Sequence, residues 1–217
     1  MQAGYFVVGT DTDVGKTYVA VALLRHFVAQ GYQAVGMKPL ASGCKRDANG
    51  QLINDDVMAL QLAGNVQADI ETINPYRFLP AIAPHIAAQQ VGIQPDIKTI
   101  LNAYQSLKAK ADVVVVEGAG GFMTPINDRQ TLADVAVALA MPMVLVVGMR
   151  LGCINHALLT VEAMQARGLH LAGWVANSPA PTAMAHLEEN LSSLQQSIAA
   201  PCLSVVPWQA ETRFNLP

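Results

Sequence analysis

Short apolar runs alternate along the chain with longer segments in which apolar residues recur every three or four positions. Runs of the first kind occupy residues 5–8, 113–116 and 143–147. A run of four to eight apolar residues is typical of a strand covered on both faces, and helical spacing indicates an element that covers it. The pattern therefore predicts an α/β fold, a doubly wound and mostly parallel sheet with helices on both faces.

Glycine, proline and polar residues mark the boundaries of the predicted elements. Three further strands are predicted at 34–37, 171–176 and 203–206. Helices are predicted at 16–30, 55–62, 96–110, 131–140, 154–167 and 181–198, and residues 74–84, with three prolines, are expected to form a loop. No repeat or linker interrupts this order, so residues 1–217 are expected to form one domain.

The composition argues against several classes of partner. Hydrophobic residues make up 52% of the chain and charged residues 13%, so we expect part of the apolar surface to be buried between subunits, most simply in a homodimer. A formal net charge of −3 offers no basic surface for nucleic acid, and no basic amphipathic stretch predicts membrane binding.

The chain also lacks the sequence marks of export. Residues 1–4 carry no charged region typical of a signal peptide, and the most apolar stretch is interrupted by Asp134 and Pro142. The three cysteines, Cys44, Cys153 and Cys202, are widely spaced and odd in number, which fits a reducing compartment. We therefore expect a cytoplasmic protein without a membrane span.

A glycine-rich segment, GTDTDVGKT at 9–17, lies between the first predicted strand and the first predicted helix. Backbone N–H groups of such a loop and of the following helix converge on phosphate oxygens. Gly15 permits close approach, Lys16 supplies a charge for the β- and γ-phosphates, and the Thr17 hydroxyl can bind Mg²⁺. Although the loop is one residue longer than G-x-x-x-x-G-K-[ST], its position between a strand and a helix predicts ATP binding.

Carboxylates near this loop are candidate ligands of Mg²⁺. Glu117 follows four valines and precedes Gly118, so it is expected at the carboxyl end of a strand beside the loop. Asp55 and Asp56 begin a predicted helix, where an acid is as often a cap as a ligand. On the residues alone, the cap and the ligand remain equal alternatives for these two aspartates.

Other polar residues also follow predicted strands. Lys38, Ser42, Asn155 and Asn177 share this position, and ligands of open α/β sheets bind at the carboxyl ends of the strands. Residues 152–155 begin a helix whose free N–H groups suit either a carboxylate or ordinary capping. Together these residues predict one continuous site.

Six stretches in the same order resemble the dethiobiotin synthetase family, which closes the ureido ring in biotin synthesis. They span almost the whole chain and are GTDTDVGKT (9–17), KPLASG (38–43), VEGAGG (116–121), LGCINHA (151–157), GWVAN (173–177) and VPW (206–208). The resemblance implies a P-loop homodimer that converts 7,8-diaminononanoate, CO₂ and ATP into dethiobiotin, ADP and phosphate. It also implies Mg²⁺ and a carbamic–phosphoric anhydride intermediate.

The resemblance further implies roles for individual residues. Catalysis would involve Lys38, Lys16 and Thr12, and Mg²⁺ would be held by Thr17, Asp56 and Glu117. The implied ATP-binding residues are Asp13, Val14, Gly15, Lys16, Thr17, Tyr18, Asp56, Glu117, Gly118, Ala119, Gly120, Asn177, Ser178, Pro207, Trp208 and Gln209. The implied substrate-binding residues are Thr12, Lys38, Ser42, Gly152, Cys153, Ile154 and Asn155, the last four acting across the dimer interface.

The sequence departs from the family in two places. The segment before Asp56 is a residue longer than is typical, which leaves Asp55 as an alternative ligand, and the late helix near His186 lacks a tyrosine that would meet the substrate carboxylate. Two other P-loop classes compete with this interpretation. They are an amide-forming ligase of the cobyrinate-amidating type, for whose glutaminase domain 217 residues leave no room, and a partner-regulated ATPase, whose additional loop lysine is absent at 10–14.

Overall fold

A computed structural model describes residues 4–210 and Phe214. Numbered along the chain, its strands are β1 (Gly4–Gly9), β2 (Ala34–Met37), β3 (Leu40–Ala41), β4 (Lys45–Arg46), β5 (Leu52–Ile53), β6 (Tyr76–Arg77), β7 (Val113–Glu117), β8 (Met143–Gly148), β9 (Leu171–Asn177) and β10 (Cys202–Val206). Its helices are α1 (Lys16–Ala29), α2 (Asp55–Ala63), α3 (Ile70–Ile73), α4 (Pro84–Gln90), α5 (Ile97–Lys108), α6 (Leu132–Leu139), α7 (Cys153–Gln165) and α8 (Leu187–Ser197).

Six strands form one parallel sheet in the order β10-β9-β8-β1-β7-β2. Strand β1 lies inside this sheet, with β7 and β2 on one side of it and β8, β9 and β10 on the other. The loops after β1 and β7 consequently meet at the same edge, where a ligand of such a sheet is expected. The predicted α/β fold is confirmed.

Alternate residues of the central strand face opposite layers of helices. Phe6 and Val8 pack in a core with α5, α6, α7 and α8, whereas Tyr5 and Val7 pack in a second core with α1 and α2. All of β1, β7 and β8 is buried, which explains why their sequences are continuous apolar runs. In the described ranges, 4–210 and 214, no helix is long and apolar enough to cross a bilayer.

Two predictions about elements were wrong. The helix predicted at 181–198 begins only at Leu187, because residues 181–186 form bends and turns and His186 has a left-handed backbone (φ 55°). The loop predicted at 74–84 contains β6, which pairs with β3 in a separate two-stranded parallel sheet. The hairpin of β4 and β5 was also not predicted, since a strand of two residues carries almost no periodic signal.

Candidate functional site

The loop from β1 to α1 depends on glycine at its end. Gly15 precedes α1 with φ 95°, and a Cβ there would lie 2.2 Å from Nδ2 of Asn177. No side chain caps this end of α1 in the described structure, so its first-turn N–H groups point toward the loop without a side-chain acceptor. Gly15 thus permits both the turn and the close packing, and the helix presents the partial positive charge that suits phosphate.

Val14 anchors the same loop to the sheet. Its side chain is buried against the two strand ends, and a Cβ on Gly9 or Gly148 would lie 2.7 or 2.8 Å from its methyl groups. The buried side chain of Asn177 donates a hydrogen bond of 2.8 Å from Nδ2 to the carbonyl of Val14. The resemblance implied that Asn177 borders the adenine; its observed contact is with the loop backbone.

Lys16 folds back over the loop. Its Nζ donates to the carbonyl of Asp11 at 2.8 Å, and burial lowers the pKa of Lys16 from 10.5 to about 8 despite the nearby Glu117 carboxylate. The carboxylate of Asp11 also pairs with Arg150, two residues beyond the end of β8. Asp11 therefore contacts Lys16 through its carbonyl and Arg150 through its carboxylate. Neither contact was evident from the sequence.

Lys38 forms the charged centre of the site. Its Nζ lies 2.6 Å from Oδ2 of Asp56 and 2.6 Å from Oε1 of Glu117, and Oε1 of Glu117 also accepts a 2.7 Å hydrogen bond from the Thr17 hydroxyl. Burial alone would lower the pKa of Lys38, but the two carboxylates hold it above its ordinary value. In turn, the Lys38 ammonium outweighs burial and lowers the pKa of Asp56. Lys38 and Asp56 are therefore both charged at neutral pH.

The structure separates the two adjacent aspartates. Asn54 caps α2 by accepting from the N–H groups of Asp56 and Val57, so neither aspartate is needed as the cap. Asp55 is exposed and pairs with Lys45 at 2.7 Å, whereas Asp56 points into the pocket toward Lys38. The geometry thus favours Asp56 over Asp55 as a pocket ligand.

The donors near Thr17 fit a magnesium ion. Oε2 of Glu117 is buried without a hydrogen-bond partner in the described part of the chain, while Oε1 of the same carboxylate accepts from the Thr17 hydroxyl. Asp56 lies on the other side of the Lys38 ammonium that both carboxylates contact. A cation here would have the carboxylates of Glu117 and Asp56 and the Thr17 hydroxyl as its protein ligands, since all three line the same pocket. The described residues contain no cluster of three His, Cys, Asp or Glu side chains that would add a further ligand. Mg²⁺ bound beside phosphates typically uses one or two carboxylates and completes its shell with water and phosphate oxygens.

These groups line one pocket of about 810 Å³. It brings together eleven residues predicted from the sequence: Thr12, Asp13, Gly15, Lys16, Thr17, Lys38, Ser42, Asp56, Glu117, Ala119 and Gly120. Its remaining wall, Ala81 to Pro84 with Thr124, was not predicted. An apolar run inside a region rich in proline carried no signal of a ligand.

Other predicted residues lie outside this pocket. Residues 152–155 begin α7 and contribute nothing to the pocket lining of their own chain. Tyr18 on α1 instead contacts the carbonyl of Ala210, next to the turn of Pro207, Trp208 and Gln209, and Ser178 bonds to Val206 beside that turn. Gly118 donates its N–H to the carbonyl of Val7 at 2.9 Å. Cys153 is buried.

A second cavity, of about 680 Å³, lies at the opposite end of the strands. It surrounds the start of β9 and is lined mainly by apolar side chains, such as Val161, Met164 and Ile198. Among the described residues its polar side chains are those of Gln165 and His170, and no carboxylate or lysine lines it. The chemistry of the molecule is therefore concentrated at the carboxyl edge of the sheet.

Comparison with known proteins agrees with this placement. A family model described as an AAA domain matches residues 3–214. The chain is 51% identical to the ATP-dependent dethiobiotin synthetase BioD of Aromatoleum aromaticum, over 94% of this chain and 89% of the relative. It is also 51% identical to the protein of that name from Nitrosospira multiformis, over 96% and 89%. A ParA family ATPase from Chlorobium tepidum shares the fold, with a TM-score of 0.57 at 12% identity over 96% of this chain and 86% of that one.

A parallel sheet of this order, with a Gly-Lys-Thr loop between its central strand and α1, defines a P-loop nucleotide-binding protein. The likeness to the ParA family ATPase shows the fold alone. The identity to the curated relatives extends over nearly the whole chain. The chain belongs to the ATP-dependent dethiobiotin synthetase family.

Proposed function

We propose that this protein is the ATP-dependent enzyme that closes the ureido ring of dethiobiotin from 7,8-diaminononanoate and CO₂. One observation carries the proposal: two buried lysines, Lys16 and Lys38, face two carboxylates in a single pocket beside the phosphate loop. The curated relatives bear the name of this enzyme at 51% identity, which supports the same assignment.

The loop and the first turn of α1 would hold the phosphates of ATP through their N–H groups and Lys16. The turn at Pro207 to Gln209 lies beside Tyr18, so the adenine is proposed to bind there, with Asn177 and Ser178 at its border. Thr17, Asp56 and Glu117 would hold Mg²⁺. The ion would neutralise charge on the phosphate oxygens.

The diamine would lie along the other half of the pocket. Thr12, Lys38 and Ser42 line the pocket there, and the Ser42 hydroxyl is buried without a partner in the described structure. Because residues 152–155 are absent from the pocket of their own chain, we propose that a second subunit supplies them to the substrate carboxylate. The enzyme would then act as a homodimer, and we propose that it works in the cytoplasm.

The chain's contribution to the reaction would be alignment and charge neutralisation. One amine takes up CO₂ as a carbamate, and a carbamate oxygen attacks the γ-phosphorus and releases ADP. The second amine then attacks the anhydride carbonyl, closes the ring and expels phosphate. Lys16 and Lys38 flank this path and would offset the negative charge as it moves.

One assay tests the proposal against its rivals. ADP release is measured with ATP, Mg²⁺ and bicarbonate, with and without 7,8-diaminononanoate, and the product is identified by mass. We expect strict dependence on the diamine and one dethiobiotin per ADP. ADP release that instead requires glutamine, or a protein partner without diamine, would support the amide ligase or the regulated ATPase and overturn the proposal.

A further inference from the structure

The backbone of Lys38 lies just beyond the central sheet and, in the described structure, makes no hydrogen bond within it. Strand β2 is the edge of that sheet and ends at Met37, which pairs with Val116 of β7. Lys38 follows immediately, so both of its backbone polar groups need partners outside the sheet. They find them in the segment that follows α3.

That segment forms hydrogen bonds with both the N–H and the carbonyl of Lys38. The N–H of Lys38 donates to the carbonyl of Ile73 at 2.9 Å, and the carbonyl of Lys38 accepts from the Nδ2 of Asn74. Nδ2 of Asn74 also reaches the carbonyl of Tyr76 at 3.2 Å, where β6 begins to pair with β3. Asn74 therefore stands where the chain carrying Lys38 passes from the main sheet to the small one.

Asn74 is an unusual residue to find in this place. It is fully buried at 0% exposure, and its Oδ1 has no hydrogen-bond partner in the described structure. Burial of an unpaired amide oxygen destabilises the folded state, so a buried asparagine here is not explained by a gain in stability from its own burial. Its Nδ2 instead supplies the hydrogen bond that the carbonyl of Lys38 would receive from a neighbouring strand inside a sheet.

We infer that Asn74 is a positioning residue, whose amide fixes the main chain of Lys38 so that Nζ lies between Glu117 and Asp56. The inference rests on the proposed function for the role of Lys38 itself. The other hydrogen bonds between residues 38–44 and 73–80 join backbone groups, among them Tyr76 to Pro39 and Phe78 to Ala41. A substitution at Asn74 therefore removes one specific support and leaves the others in place.

The test compares Asn74→Ala with Asn65→Ala. Asn65 holds the other end of β2, where it donates to the carbonyl of Tyr32 at 2.9 Å and accepts from Ala34 at 2.8 Å, and it lies outside the pocket. We expect kcat of Asn74→Ala to fall about ten- to a hundredfold with the Kd for ATP unchanged, since the misplaced amine is not a phosphate ligand of the loop. Asn65→Ala should keep the parent kcat.

A double-mutant cycle separates positioning from general damage to the fold. In a Lys38→Gln background, whose own turnover should be down roughly 10²–10³-fold, adding Asn74→Ala is expected to change kcat by less than about twofold. Equal losses in both backgrounds would overturn the inference. If Asn74→Ala does not fold, Asn74→Ser takes its place, and failure of both to fold would also overturn it, because the residue would then serve the fold as a whole.

A chemical readout keeps this result distinct from the proposed function. The rate of Lys38 acetylation by an N-hydroxysuccinimide ester, followed by peptide mass, needs no turnover. It should rise at least about threefold in Asn74→Ala and stay at the parent rate in Asn65→Ala, because a loosened lysine is reached more often. An unchanged rate contradicts the inference even if the enzyme is active, whereas a parent without diamine-dependent turnover contradicts only the proposed function.

Discussion

Lys16 and Lys38 lie in the same pocket, but their surroundings act on their charges in opposite directions. Burial dominates at Lys16 and brings its pKa down to about 8, whereas the two carboxylates in contact with Lys38 keep its pKa raised. Lys38 therefore remains an ammonium at neutral and mildly alkaline pH. Lys16 can lose its proton under mildly alkaline conditions.

This difference predicts how nucleotide binding depends on pH. Below about pH 8 the free protein already carries the Lys16 charge that phosphate needs, and above it binding must be accompanied by proton uptake. We expect the Kd for ADP, measured by calorimetry in chelator, to rise roughly tenfold from pH 7 to pH 9. Lys16→Arg is the control, because its guanidinium stays charged and should give a flat profile. A flat profile in the parent would contradict the prediction.

Two glycines at the ends of α1 provide a matched pair of substitutions. Gly15 and Gly31 have similar left-handed φ values, 95° and 88°, but only at Gly15 would a Cβ collide with a neighbour, Asn177. Gly31→Ala should cost only the backbone strain, about 1–2 kcal/mol in urea unfolding. Gly15→Ala should add displacement of the loop and weaken ATP binding at least about tenfold. Equal ATP affinity in the two variants would show that the contact with Asn177 is easily relieved.

Helix α2 carries Asp56 into the pocket, and its cap is Asn54. The side chain of Asn54 accepts from two N–H groups of the helix and donates to the carbonyl of Ser42 at 3.3 Å. Asn54→Ala should lower the free energy of unfolding by about 1 kcal/mol. It should also raise the Mg²⁺ concentration for half-maximal activity about tenfold, because Asp56 is no longer held in place.

Asp96 offers the control for that substitution. It caps α5 in the same way, through the N–H groups of Lys98 and Thr99, and lies outside the pocket. Asp96→Ala should lose a similar free energy of unfolding and keep the parent Mg²⁺ dependence. If both variants shift that dependence equally, the effect belongs to stability and not to Asp56.

The elements that could be predicted are those whose own sequence carries a strong period. The buried strands at Val113–Glu117 and Met143–Gly148 are continuous apolar runs, and their prediction is confirmed. The helix predicted from Pro181 starts late because the backbone before it turns at His186, and the short strands β3 and β6 depend on a distant contact with each other. For β3 the partner is Tyr76, 36 positions along the chain from Leu40, and no local pattern shows it.

The predicted site divides in a similar way. Lys16 and Glu117 stand next to elements with clear boundaries, so the sheet places them together. Asn54, Asn74 and Asp11 act through hydrogen bonds to backbone or to residues far along the chain, and a lone asparagine or aspartate in a loop carries no mark of this. Their roles followed only from the three-dimensional contacts.

The surface of the single chain contains apolar residues that suggest a second copy. Leu151 is 95% exposed immediately before α7, and Leu159 on the same helix is 56% exposed. Both flank the helix start at 152–155, which lies outside the pocket of its own chain. A two-fold dimer that buries these leucines would bring each helix start toward a partner, and the proposed site would then be shared between subunits.

A shared site predicts that two defective variants restore each other. Lys38→Gln damages one half of the site, and Asn155→Asp places a negative charge where the substrate carboxylate is proposed to bind, at an exposed helix start that tolerates an acid. Half of the dimers formed by an equal mixture contain one subunit of each kind, and each of these has one intact site. At low diamine concentration, dissociation and reassociation of the mixture should therefore restore about a quarter of the parent activity.

The control is a mixture of Lys38→Gln with Lys16→Ala. Both substitutions lie in the pocket of a single chain, so every site in every dimer keeps one defect and no activity should return. Native mass spectrometry confirms in each mixture that mixed dimers have formed. Mixed dimers that recover nothing from Lys38→Gln with Asn155→Asp would place both residues in the same half-site, and the helix start at 152–155 would then have to reach the substrate within its own subunit.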